Sequence, residues 1–185
     1  MSGTLEGLRR GAIPLLVGGL LGFIGGYFSA GGGRPVGAAA SPAAKAGGED
    51  RVGEIQAALQ KDPENPALLT GLGNVLYDRE DWDGAIKAYE KARRKAPADP
   101  NLLSDLGSAY RYRGEFKRAV SFFERARAAD PGHWQSLLNL VLVNAFDTRD
   151  ADAARRYLAE LKRRFPEIPN LERIERQITS LKGAA

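Results

Sequence analysis

Apolar and small side chains recur three and four residues apart along most of this chain, and the pattern repeats. PALLTGLGNVLYDREDWDGAIKAYEKARRKAPAD, residues 66–99, aligns without a gap on PNLLSDLGSAYRYRGEFKRAVSFFERARAADPGH, residues 100–133, a period of 34. Leu69, Leu72, Gly73, Leu76, Ala85, Tyr89, Ala92 and Pro97 fall on Leu103, Leu106, Gly107, Tyr110, Ala119, Phe123, Ala126 and Pro131. The spacing predicts amphipathic helices in pairs, with a turn before Trp82 and Phe116. Gly73 and Gly107, with Ala85 and Ala119, remove side chains where paired helices would collide. Pro97 and Pro131 close the second helix, because proline lacks the N–H the next turn needs.

A third, degenerate unit begins at Trp134. Leu137 and Leu140 stand in the expected places, but Val141 replaces the glycine and Asn144 the large residue before the turn. One extra residue in AFDTRDAD brings Ala154, Leu158, Leu161 and Pro166 into register. Beyond it, Leu171, Ile174, Ile178 and Leu181 share one face of a predicted capping helix. Ahead of the repeats, Val52, Ile55 and Leu59 followed by Asp62-Pro63 predict the second helix of a half repeat.

The chain begins differently. Gly11 to Ala30 holds 20 residues without a charge, which as a helix reaches about 30 Å, the thickness of a bilayer's hydrocarbon core. That predicts a transmembrane anchor over 11–30 behind a tail of residues 1–10. The alternative is a cleaved signal peptide, for which Ser29-Ala30-Gly31 is a passable site although Phe28 occupies the −3 position. Arg9 and Arg10 before the run, against Arg34 and Lys45 after it, orient the N-terminus to the cytoplasm. Gly18, Gly22, Gly26 and Ala30 line one stripe, which reads either as a close-packing face for a homodimer or as general glycine richness. Residues 31–48 contain only Val36 as a large apolar side chain and are expected to be a linker.

The repeat positions resemble the tetratricopeptide repeat (TPR) over residues 50–182. The resemblance implies an all-α fold, a right-handed superhelical stack of TPR helix hairpins. Its TPR domain, 49–185, comprises a half repeat (50–63), repeats at 66–99, 100–133 and 134–167, and a capping helix (169–182). It also implies recognition of a peptide or helix of a protein partner along the face made by the first helices, and no catalysis. By analogy that groove is lined by Thr70, Asn74, Tyr77 and Asp78, by Asn101, Ser104, Ser108, Arg111 and Tyr112, and by Gln135, Leu138, Leu142 and Phe146. Leu138, Leu142 and Phe146 have a second reading, burial under the capping helix. Arg111 and Tyr112 are expected to be little buried. The set lacks the Lys and Arg donors with which TPR domains clamp a chain-terminal carboxylate, since Thr70, Ser104 and Leu138 are neutral.

Composition removes other classes. Net charge is +4, but four basic residues and one acidic residue precede residue 49, leaving +1 on the repeats. The basic residues of the stack are interleaved with Glu90, Glu115, Glu124 and Glu160, so no nucleic-acid partner is expected. With no cysteine and His133 as the single histidine, no metal site, cofactor, small-molecule substrate or catalytic constellation is expected. The reading is a membrane-tethered interaction adaptor of a bacterial inner membrane, with its repeats on the periplasmic side. Its layout looks similar to assembly factors for exported complexes, including those maturing c-type cytochromes. A cytoplasm-facing scaffold and a structural oligomer held by the glycine stripe are the alternatives.

Overall fold

The computed structural model describes residues 42–182. The apolar run 11–30, its glycine stripe and the tail before it lie outside the described residues. Among those described, no helix is long and apolar enough to cross a membrane.

Every element of the described chain is helical. Helix α1 (Pro42–Lys61) is followed by the pair α2 (Pro66–Asp78) and α3 (Trp82–Arg93), then by α4 (Pro100–Tyr112) and α5 (Phe116–Ala129). The third pair is α6 (Trp134–Leu142), which runs into a π-helical segment (Val143–Asp147), and α7 (Ala151–Arg164). Helix α8 (Leu171–Lys182) closes the stack, and each helix packs on its neighbours in sequence. Helix α1 starts inside the stretch expected to be linker: 42–48 form its first turns, with Pro42 at the first helical position, where its missing N–H costs nothing.

Equivalent residues start each pair. Asn65 Oδ1 accepts from the N–H groups of Ala67 and Leu68 at 3.1 Å each, and Asp99 Oδ1 from Asn101 and Leu102 at 2.9 and 3.1 Å. Both caps precede a proline. In the third pair His133 takes the same place, and its Nδ1 accepts from the Ser136 N–H at 3.3 Å. These side chains satisfy donors that the first helical turn leaves without partners.

The glycines of the first helices are packing sites. A Cβ built on Gly73 would lie 2.4 Å from the ring of Tyr89, and one on Gly107 would lie 2.6 Å from the ring of Phe123. Each aromatic ring therefore rests directly on the backbone of its partner helix, and Tyr89 and Phe123 are both buried. The third pair reverses the volumes: Val141 fills the glycine position and the smaller Leu158 the ring position, both buried. Its divergence from the repeat is thus an exchange of volumes at the two corresponding positions. Ala85, Ala119 and Ala154, at the crossing of each pair, are fully excluded from solvent.

The extra residue of the third unit is absorbed at the end of α6. The Thr148 N–H donates to the Val143 carbonyl at 2.9 Å, five residues back, a wider turn that holds one more residue than an α-turn. The turns between paired helices then come back into phase. Glu80, Gly114 and Arg149, at corresponding positions, have φ of 63°, 85° and 59°. Only the middle repeat places glycine where the left-handed backbone favours it. Helix α8 buries Leu171, Ile174 and Ile178 and packs on α7.

Candidate functional site

The first helices α2, α4 and α6 carry the groove positions. Thr70, Asn74, Tyr77, Tyr112, Gln135 and Phe146 are partly exposed, and Asp78 and Asn101 are exposed. Ser104, Ser108, Arg111, Leu138 and Leu142 are buried. Ser108 Oγ donates to the Ser104 carbonyl within α4 at 3.0 Å, and Asn139 Nδ2 reaches Ser104 Oγ at 3.4 Å from α6, which ties the second and third pairs together. Asn74 Oδ1 accepts from the Tyr89 hydroxyl at 2.8 Å, which ties α2 to α3.

Arg111 differs from its expected exposure. It retains 7% of its accessible surface, and its Nε donates to Asp147 Oδ2 on the π-helical segment. The guanidinium thus bridges the second and third repeats, and its charge is neutralised within the chain. Leu138 and Leu142 are buried as well, while Phe146 stays partly exposed.

Beside Arg111, three aromatic side chains form a cluster. Trp82 stacks on Tyr112 with ring centroids 4.9 Å apart, and Tyr77 meets both edge-on, at 5.0 Å from Trp82 and 5.7 Å from Tyr112. Trp82 is therefore a packing residue, as its equivalence to Phe116 implies. Burial pushes the Tyr77 hydroxyl well above its ordinary pKa of 10, and that of Tyr112 upward from the same value. Both hydroxyls and Nη1 of Arg111 are excluded from solvent; the two hydroxyls neighbour each other, and Nη1 has no hydrogen-bond acceptor. Each hydroxyl is thus a neutral donor at physiological pH. A buried guanidinium N–H without an acceptor is unusual in a folded protein, where such groups nearly always find partners.

His133 joins the repeats. With Nδ1 committed as an acceptor, the ring carries its proton on Nε2, which donates to Asn101 Oδ1 at 3.2 Å. Burial lowers its pKa from 6.5, with Asp130 and Asp99 opposing. The folded state thus binds this proton less readily than the unfolded chain. As pH falls below about 6.5 the unfolded chain takes up the proton first, and stability drops until the folded-state value is passed. His133→Asn keeps an N-cap acceptor and should flatten this part of the profile in urea melts between about pH 7.5 and about pH 5.5.

Sequence reasoning missed Asp147 and Asn139, whereas the loop position of His133 before Trp134 marks it as a helix-entry residue, the capping role it takes. That role has a sequence signal, since Asn65, Asp99 and His133 are spaced by 34. Asp147 has none, because the extra residue puts it out of phase with the first two repeats.

Two tetratricopeptide repeat family models match, at residues 64–131 and 104–169. Tetratricopeptide repeats are thus detected over residues 64–169. No curated protein matches the chain. Among solved structures, the helix stack is similar to the TPR2B-domain:pHsp70 complex of yeast Sti1, with 16% sequence identity and a TM-score of 0.57 over 65% of this chain and 98% of that one. At that identity the likeness is one of fold.

Proposed function

We propose that this protein is a membrane-tethered adaptor whose first-helix face binds a peptide or helix of a protein partner. The observation that carries the reading is the row of partly exposed positions Thr70, Asn74, Gln135 and Phe146 on the first helices of a tetratricopeptide repeat stack and the π-helical segment that extends α6. Their mixture of hydrogen-bonding and apolar side chains suits an amphipathic helix or an extended segment. The solved TPR complex with pHsp70 supports a protein ligand for this fold. Because Asp147 already neutralises Arg111, this face is suited to the uncharged acceptors of a partner's backbone or amide side chains.

In this reading the uncharged run 11–30 anchors the chain in a bacterial inner membrane, with Arg9 and Arg10 on the cytoplasmic side and the repeats in the periplasm. The stripe Gly18, Gly22, Gly26 and Ala30 pairs two copies. The adaptor serves assembly of an exported complex, such as c-type cytochrome maturation.

The test is recovery of partners from solubilised membranes. Thr70→Arg combined with Gln135→Arg changes two partly exposed groove positions and should leave circular dichroism unchanged while most of the wild-type partners are lost. Recovery of the same proteins by a folded double variant would place the partner site elsewhere.

A further inference from the structure

The second helices α3, α5 and α7 carry five carboxylates, and all are engaged. Asp83 pairs with Arg113 at 2.9 Å, Glu90 with Arg93 at 2.6 Å and Asp152 with Arg155 at 2.9 Å. Glu124 and Glu160 share Arg127, at 2.8 and 3.1 Å, and Glu160 also pairs with Arg164 at 3.0 Å. The interleaving of acidic and basic residues in the sequence therefore does not leave a balanced surface. Once these pairs are formed, Lys87, Lys91, Lys117, Arg125, Arg156 and Arg163 remain exposed with no ion-pair partner among the described residues.

Their placement is partly repetitive. Arg125 stands one period of 34 after Lys91, and Arg156 continues the position of Lys87 after the one-residue insertion, whereas Glu160 takes the Lys91 position and Asp152 the Lys117 position in the third repeat. Corresponding positions of stacked repeats share a side, so Lys87, Lys91, Arg125 and Arg156 fall on the side built by the second helices, where basic residues outnumber acidic ones. Arg125 packs its guanidinium 5.2 Å from the centre of the Phe122 ring, which fixes its position without neutralising it.

We propose that this second-helix side docks on an anionic phospholipid surface, leaving the first-helix side turned to the partner. The proposal rests on the membrane tether of the preceding section. Helix α1 starts at Pro42, so 11 residues separate it from the uncharged run ending at Ala30, a tether of at most about 40 Å even fully extended. On that proposed tether the stack is within reach of the headgroups, and anionic ones would attract clustered Lys and Arg by the electrostatics that draw polybasic segments to membranes. A single-stranded nucleic acid fits less well, because no aromatic side chain on α3, α5 or α7 is exposed to stack on bases.

The absence of cysteine allows a single reporter. Ser121→Cys, at the exposed position equivalent to Lys87, is labelled with a fluorophore in the full chain, which is then reconstituted into phosphatidylcholine vesicles with or without phosphatidylglycerol and carrying headgroup nitroxide as quencher. Quenching should appear only with phosphatidylglycerol, vanish in high salt, and vanish in the folded variant Lys87→Glu/Lys91→Glu/Arg125→Glu. Equal quenching in both lipids, quenching in neither, or quenching that survives the triple reversal overturns the proposal. Flotation separates the two claims: a chain that floats with phosphatidylcholine vesicles but shows no phosphatidylglycerol-dependent quenching refutes the docking alone, whereas one that does not float refutes the tether. A duplex RNA that binds the wild type but not the triple variant, without lipid-dependent quenching, would reassign the face to nucleic acid.

Discussion

Gly107→Val should destabilise the stack by about 3 kcal/mol, the upper part of the usual overpacking range, lowering both the melting temperature and the urea midpoint. A Cβ at this position would lie 2.6 Å from the Phe123 ring, and that ring is completely buried. Neither the ring nor the α4 backbone can yield without opening the contact between α4 and α5. The third repeat carries the opposite volumes at the corresponding positions, Val141 and Leu158, both buried. Adding Phe123→Leu to Gly107→Val should therefore recover much of the lost stability, although Phe123→Leu alone also destabilises by leaving a void above Gly107. A double-mutant cycle by urea denaturation measures this coupling. Additive losses would mean that the glycine and the ring do not form one packing unit.

Asp147→Ala should be comparably costly, about 3 kcal/mol, because it leaves the Arg111 guanidinium buried with no carboxylate. Asp147 is itself 21% exposed at the side chain, so water relieves part of the loss and the full penalty of a deeply buried pair does not apply. Replacing both members by Leu should cost far less than either single loss, since the double variant strands no charge. Denaturant melts of the three variants distinguish a buried pair from a surface pair, for which each would stay within about 1 kcal/mol of wild type.

The sequence signal was strongest where packing is repeated. Gly73 with Tyr89 and Gly107 with Phe123 recur at a fixed interval because the same steric problem is solved twice, and a gapless alignment detects it. The pairing of α6 with α7 was legible despite Val141, since Leu158 and Ala154 return in register after one added residue. The location of that residue was not legible: a π-turn over Val143–Asp147 and a longer loop give the same alignment. Arg111 was assigned to the groove by its position, yet its burial depends on Asp147, 36 residues away and shifted in phase by the insertion. Leu138 and Leu142 lie on a helix that is apolar on all sides, so periodicity could not decide which face was covered. The start of α1 escaped for a related reason, because Ala-rich residues after Pro42 carry no apolar stripe to mark a helix.

The central claim is that a protein partner occupies the face of the first helices. Site-specific photocrosslinking in intact cells tests it directly, with a photoreactive residue placed singly at Thr70, at Gln135 and, on the opposite side, at Ser121. The account predicts protein adducts from Thr70 and Gln135 and none from Ser121. Protein adducts from Ser121 alone, with both groove positions silent, would contradict it.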